Sequence, residues 1–247
     1  LLDWALDHGA DALATGHYAR VGQDEASGRH LLLRGTDRRK DQSYVLYQLT
    51  QHQLSHLLLP VGSCEKPKLR AMAEQAGLRN AHRADSQDIC FIPDGDYVSF
   101  LRSYGGVVSV PGDFVDLEGR VLGRHQGLEC YTTGQRKGLG VSAGVPVSVV
   151  RKDLDAGTVV LGPNSALYTQ ELTADRVNLI SIDRLEGPLQ VTAKTRYTQQ
   201  EAEATVEPLP GGRIRVTFQE PQRAVTAGQA VVLYQGEAVL GGGTICS

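Results

Sequence analysis

The chain has 247 residues, with 25 Lys and Arg against 28 Asp and Glu, a formal net charge of −3. That length allows one large core or two to three small domains, and the charge excludes a generally basic nucleic-acid coat while allowing a local cationic patch. No apolar run is long enough for a transmembrane helix or a signal-peptide core. The four cysteines (Cys64, Cys90, Cys130, Cys246) are too scattered for a C-x-x-C zinc site or a disulfide framework, which fits a reducing cytoplasm with no metal and no membrane.

In chain order, L-L-D-W-A-L-D-H-G reads as the last turns of a helix ending at Gly9, as in a chain that has lost its true N-terminus. A-D-A-L-A-T is a short apolar run of the buried parallel-strand type, with G-H-Y-A-R at its carboxyl end, where open α/β sheets bind ligands. V-G-Q-D-E-A-S-G-R-H-L-L-L-R predicts a hairpin. K-D-Q-S-Y-V-L-Y-Q-L predicts a helix with Tyr44, Leu46, Tyr47 and Leu49 on its inner stripe. Thr50 to Gln53 carries a capping-box pattern, and a further helix is expected from about Pro67 to Gln75, closed by Gly77, with Leu69, Met72, Ala73 and Ala76 on one face.

Beyond residue 95 the composition shifts to Gly, Val and short alternating runs. V-P-V-S-V-V-R-K-D-L-D-A-G-T-V-V-L-G predicts a hairpin turning at Asp155 to Gly157. L-Q-V-T-A-K-T-R-Y, R-I-R-V-T-F, A-V-V-L-Y and A-V-L-G-G-G are short strands at even spacing, the pattern of a small β-barrel. The expected organisation is α/β material over 1–95, a β-rich central domain over 96–178 and a barrel over 179–247.

Cys90 lies in D-S-Q-D-I-C-F-I, residues 85–92. Beside Phe91 and Ile92 it reads as a small buried hydrophobe, and Asp85 and Asp88 disfavour a thiolate there. His17 follows a strand end, where both a loop role and a functional role fit. Arg34, Arg38 and Arg39 precede Lys40, Asp41 and Gln42 as a local cationic cluster suited to phosphate contact. G-Q-R-K-G-L-G, residues 134–140, is a basic glycine-bounded loop without the P-loop pattern. Arg196 and Tyr197 set a cation beside a stacking ring, useful for single-stranded RNA and equally common on a barrel surface.

In this order, A-T-G-H-Y-A-R, K-D-Q-S-Y-V-L-Y-Q-L, D-S-Q-D-I-C-F-I, G-Q-R-K-G-L-G and A-K-T-R-Y resemble the tRNA-specific 2-thiouridylases, along essentially the whole chain. The resemblance implies an α/β plus β architecture: the C-terminal part of an adenine-nucleotide α-hydrolase-like (PP-loop) domain, a small central domain and a C-terminal β-barrel. It implies ATP-dependent 2-thiolation of the wobble uridine of tRNA, by adenylation of the uridine 2-oxygen and sulfur transfer from a persulfide on Cys90. A second cysteine resolves the intermediate through a transient disulfide. By the same resemblance Gly16 contacts ATP, and His17, Lys40, Asp41, Gln42, Arg196, Tyr197 and Gln229 contact tRNA. ATP, with Mg, is a substrate rather than a permanently bound cofactor, and a persulfide-carrying protein donates the sulfur. The family's S-G-G-V-D-S phosphate loop and first catalytic cysteine are absent, and both are expected upstream of Leu1, which makes the chain inactive alone. The competing reading is a tRNA-binding module without chemistry.

Overall fold

The computed structural model describes residues 1–82, 92, 96–142 and 144–246. It divides into two compact units, one formed by residues 1–83, 170–220 and 227–247, the other by 84–169 and 221–226.

The first unit opens with helix α1 (Leu2–Asp7), which stops at Gly9 with φ +82°. Strand β1 (Leu13–Ala14) follows, then the hairpin β2 (Ala19–Gln23) and β3 (His30–Arg34), as the alternation there predicts. Where a longer helix is expected after Lys40, a single 3-10 turn forms over Ser43–Leu46. Its start is diverted by Asp41, whose carboxylate accepts from the backbone N–H and the hydroxyl of Ser43, a local alternative to helical bonding. The inner stripe survives the shortening: Tyr44 and Tyr47 are buried, with Leu46 and Leu49 packed against the same core.

Helix α2 (Gln51–Ser55) begins with the full capping box between Thr50 and Gln53, and β4 (Leu57–Leu58) pairs with β1 in parallel. The parallel pairing matches expectation, but Ala14 is exposed and Leu13 only half-buried, so this is not the buried strand the apolar run suggested. Helix α3 (Lys66–Gln75) likewise forms where expected, closed by Gly77 at φ +66°. Its apolar face is only partly covered among the described residues: Leu69 and Ala73 are half-buried, no α3 side chain is fully buried, and Met72 is 51% exposed. Periodicity specifies which side chains share a face; it does not supply the surface that covers them.

The second unit contains helix α4 (Tyr97–Tyr104) and strands β5 (Gly112–Val115), β6 (Val121–His125), β7 (Ser148–Asp153) and β8 (Thr158–Gly162). They form a sheet ordered β6-β5-β8-β7, in which β7 and β8 are the hairpin predicted around Asp155 to Gly157. Phe114, Tyr131, Leu139, Val149, Val159 and Leu161 make its core.

The remaining strands are β9 (Tyr168–Leu179), β10 (Leu189–Lys194), β11 (Ala202–Leu209), β12 (Arg213–Arg223), β13 (Ala230–Gln235) and β14 (Ala238–Ile245). Their order β13-β10-β11-β12-β9-β14, with β13 also paired to β14, closes a six-stranded barrel. Closure removes the unpaired strand edges that invite aggregation. The glycines of A-V-L-G-G-G follow from close packing, since a Cβ at Gly242 would lie 2.5 Å from the Val231 carbonyl oxygen and 2.6 Å from the Tyr47 ring. The β2–β3 hairpin attaches to this barrel beside β14. Arg34 N–H donates to the Glu237 carbonyl, and Arg20 and Arg38 pair with the Glu237 carboxylate.

Candidate nucleic-acid interface

The loop carrying Lys40, Asp41 and Gln42 is held by its own side chains. Asp41 accepts from the Gly35 N–H (2.9 Å), the Ser43 N–H (3.1 Å) and the Ser43 hydroxyl (2.8 Å). Gln42 brackets Tyr18: its backbone N–H donates to the Tyr18 carbonyl (2.8 Å), and its Oε1 accepts from the Tyr18 N–H (3.0 Å). This ties the loop to the segment after β1, where Gly16 is exposed and His17 shares a hydrogen bond with Thr15 (Nδ1 to Oγ1, 2.9 Å). Among the described residues, no atom beyond its chain neighbours lies within 4 Å of where a Cβ on Gly16 would be, which leaves its backbone open on that side.

Tyr44 links this loop to the barrel. Its hydroxyl donates to the Ala230 carbonyl (2.9 Å), next to Gln229, and its ring lies 6.1 Å from that of Tyr197. Burial pushes the Tyr44 hydroxyl up to about 12, with Tyr47 adding to the shift and Arg196 opposing it, so it stays a protonated donor at neutral pH. Gln229 accepts the Ile245 N–H at its backbone oxygen, while its buried side-chain Oε1 has no hydrogen bond among the described residues. Four positions scattered along the sequence, His17, the Lys40–Gln42 loop, Arg196–Tyr197 and Gln229, therefore meet in one unit.

Of the arginines before the loop, Arg34 does not offer a phosphate contact. It is 6% exposed, clamps Glu201 with both Nη atoms, donates from Nε to the Gly236 carbonyl (3.0 Å) and stacks 3.9 Å over the Tyr234 ring. A hairpin position facing the core placed it inside, and a buried guanidinium must take a carboxylate with it. Arg38 pairs with Glu237, whereas Arg39 is exposed. A cleft of about 630 Å³ opens here, lined by Arg38, Arg39, Asp41, Lys194, Tyr197 and Glu201 among others. Lys194 escaped the sequence reading, although the alternation of a strand end puts it on the same side as Arg196 in A-K-T-R-Y.

In the second unit, residues 134–140 form a braced loop. Gly134 N–H donates to the Val149 carbonyl, Gln135 bonds to Thr132 and Lys137, and Leu139 is buried in the core, leaving Arg136 and Lys137 exposed. Cys90 lies outside the described residues, as does most of residues 85–92. Cys64, Cys130 and Cys246 are free thiols. No group of His, Cys, Asp and Glu suited to a metal ion occurs among the described residues, and no helix there is long and apolar enough to cross a membrane.

Three family models match the chain in succession: the tRNA methyl transferase HUP domain over residues 1–94, the tRNA methyl transferase PRC-barrel domain over 98–163 and the aminomethyltransferase beta-barrel domain over 169–245. Together they define an α/β HUP module followed by two β-barrel modules. Similar proteins include the tRNA-specific 2-thiouridylase MnmA of Acetivibrio thermocellus, 49% identical over 99% of this chain and 68% of the relative. Those of Heliobacterium modesticaldum (51% identical, 99% of this chain, 64% of the relative) and Desulfitobacterium hafniense (52%, 96% and 67%) are comparably close. The chain thus spans about two thirds of the length of these relatives. It belongs to the tRNA-specific 2-thiouridylase family.

Proposed function

We propose that this chain acts in ATP-dependent 2-thiolation of the wobble uridine of tRNA, with Cys90 carrying the sulfur. The observation that carries this reading is that the Lys40–Gln42 loop is bonded to Tyr18, next to His17, while Tyr44 just beyond the loop reaches the ring of Tyr197 and the carbonyl next to Gln229. Lys40 and Arg196 supply charge for phosphates and Tyr197, 42% exposed, a face for a base. Gln42 is held by its Oε1, which leaves its Nε2 donors for RNA. Asp41 acts through the loop it braces.

In the chemistry, the uridine 2-oxygen displaces pyrophosphate from ATP, bound with Mg against the open backbone at Gly16, to give an adenylated uridine. The terminal sulfur of a Cys90 persulfide, delivered by a sulfur-donor protein, forms a bond to C2, and the C2–oxygen bond breaks with AMP leaving. A second cysteine, none of Cys64, Cys130 or Cys246, attacks Cys90 and releases the 2-thiouridine; the resulting disulfide is reduced in the cytoplasm before the next round.

The test is Cys90→Ser, expressed from the whole gene in a bacterium without its own 2-thiouridylase. Thiouridine retards tRNA in mercury-containing gels, and the variant is expected to lose the retarded band while binding tRNA as the parent does, because phosphate contacts dominate affinity. A retarded band from the variant would remove Cys90 from the sulfur path. A parent that binds tRNA but never produces the band would favour the binding-module reading.

A further inference from the structure

The cleft beside the Lys40–Gln42 loop holds a cation that, among the described residues, has no hydrogen-bond acceptor of its own. Lys194 ends β10, and its ammonium sits over two aromatic faces, 5.8 Å from the Tyr44 ring centre and 6.0 Å from that of Tyr197. Such contacts stabilise a cation but use none of its N–H donors. Among the described residues Lys194 Nζ has neither a hydrogen-bond acceptor nor an ion-pair partner within 4.0 Å. Two carboxylates line the same cleft, and both are committed. Asp41 is taken by Gly35 and Ser43, and Glu201 by Arg34 and Thr192.

We propose that Lys194 is a tRNA-contacting residue whose ammonium, lying over the rings of Tyr44 and Tyr197 in this cleft, binds a backbone phosphate of the tRNA. This rests on the reading of the chain as a tRNA-modifying protein. An ammonium with unused donors in a half-buried site calls for an acceptor that brings several oxygens and a negative charge, and a phosphodiester has both. Arg39 on the rim adds positive potential. Tyr197 remains exposed enough for the neighbouring nucleotide to stack on it. The charge state agrees: burial holds the Lys194 pKa below the ordinary lysine range, opposed in part by Asp41 and Glu201, so a bound anion stabilises the charged form and is bound more tightly in return.

The same chemistry is offered by a free phosphate or by the phosphates of ATP, so the test carries three probes: an unmodified tRNA transcript, inorganic phosphate and ATP. Binding is measured on the full chain over a series of salt concentrations for the parent, Lys194→Met and Arg196→Ala. Methionine keeps an apolar stem against the tyrosines and removes the charge. Lys194→Met is expected to weaken tRNA binding on the order of tenfold, as for loss of one charge-assisted hydrogen bond. Its logarithmic salt slope should be shallower by about 0.7 to 0.9. Phosphate and ATP should bind parent and variant alike. A Lys194→Met curve that overlays the parent while Arg196→Ala weakens binding overturns the Lys194 site and leaves the tRNA reading standing. Overlay of both variants, or a parent that binds no tRNA, overturns both. A Lys194→Met effect on ATP or phosphate alone also overturns the proposal. Should Lys194→Met fail to fold, acetylation mapping of the parent decides: tRNA should shield Lys194 from reagent, and equal labelling with and without tRNA refutes it.

Discussion

Arg34→Met is the sharpest test of how the interface is held. The substitution keeps most of the stem and removes a guanidinium that makes a two-pronged pair with Glu201, a 3.0 Å hydrogen bond to the Gly236 carbonyl and a 3.9 Å stack on Tyr234. Breaking a buried pair by deleting one partner costs about 3–5 kcal/mol. The Glu201 side chain retains 28% exposure, so water recovers part of its solvation and the low end applies. The lost stacking adds about 0.5–1 kcal/mol. The expected destabilisation is about 3–4 kcal/mol. With a urea dependence on the order of 2 kcal/mol per molar, the midpoint of the barrel-containing unit falls by about 1.5–2 M in far-UV circular dichroism. Arg34→Lys should rescue only part, since a point charge cannot reproduce the fork. Adding Glu201→Gln to Arg34→Met should recover part of the loss, because the stranded carboxylate is then neutral. A midpoint within 0.25 M of the parent (about 0.5 kcal/mol on the same scale) would refute the claim that this pair clamps the hairpin to the barrel.

Two further outcomes follow from the same unit. Gly62→Ala should prevent its folding, because the added Cβ would lie 1.6 Å from the Ala19 carbonyl oxygen and backbone must move at both places; soluble protein with a parental unfolding midpoint would contradict this. Acid should weaken the unit through Glu201, where burial acts to raise the pKa and is outweighed by hydrogen bonds from Arg34 and Thr192, leaving it lowered. That stabilisation is fully present above the unfolded glutamate pKa of about 4.3 and is lost as pH falls through the lower folded value. Urea midpoints measured from pH 7 down to 3 should therefore drop less steeply below pH 4.3 in Glu201→Gln, and identical slopes would exclude Glu201 as the source.

R-I-R-V-T-F and A-V-V-L-Y stand out in the sequence because their inward residues are large. Strand β11 went unread although its alternation is regular: Ala204 and Val206 point inward between Glu203, Thr205 and Glu207, and small inward residues give little contrast. Strand β9 hid for a related reason, with Leu172 and Ala174 its only buried residues in twelve. The candidate interface was legible as isolated motifs and illegible as a surface. Nothing local says that Arg34 turns inward while Arg39 faces out, or that Tyr44 bonds to the carbonyl next to Gln229; these depend on a closed barrel meeting an N-terminal hairpin. Lys194 was missed because its importance lies in what it lacks, an acceptor, and an absent partner has no signature in a string of residues.

The cysteines sort by the same electrostatics. A sulfur that works as a nucleophile needs its anion stabilised by nearby cations or N–H groups. Cys130 has the opposite surroundings: burial pushes its thiol up, and the Glu129 carboxylate pushes in the same direction, against a weaker pull from Arg102. Cys246, exposed after β14, directs its thiol to the Thr244 carbonyl. Cys64 is half-buried, in the turn after Gly62 where Ala19 lies against the backbone. For Cys90 the neighbouring Asp85 and Asp88 argue against a thiolate on the bare side chain. A terminal persulfide is more acidic than a thiol. The residues that make Cys90 a poor nucleophile by itself are therefore compatible with a cysteine that holds sulfur passed to it and attacks only when loaded.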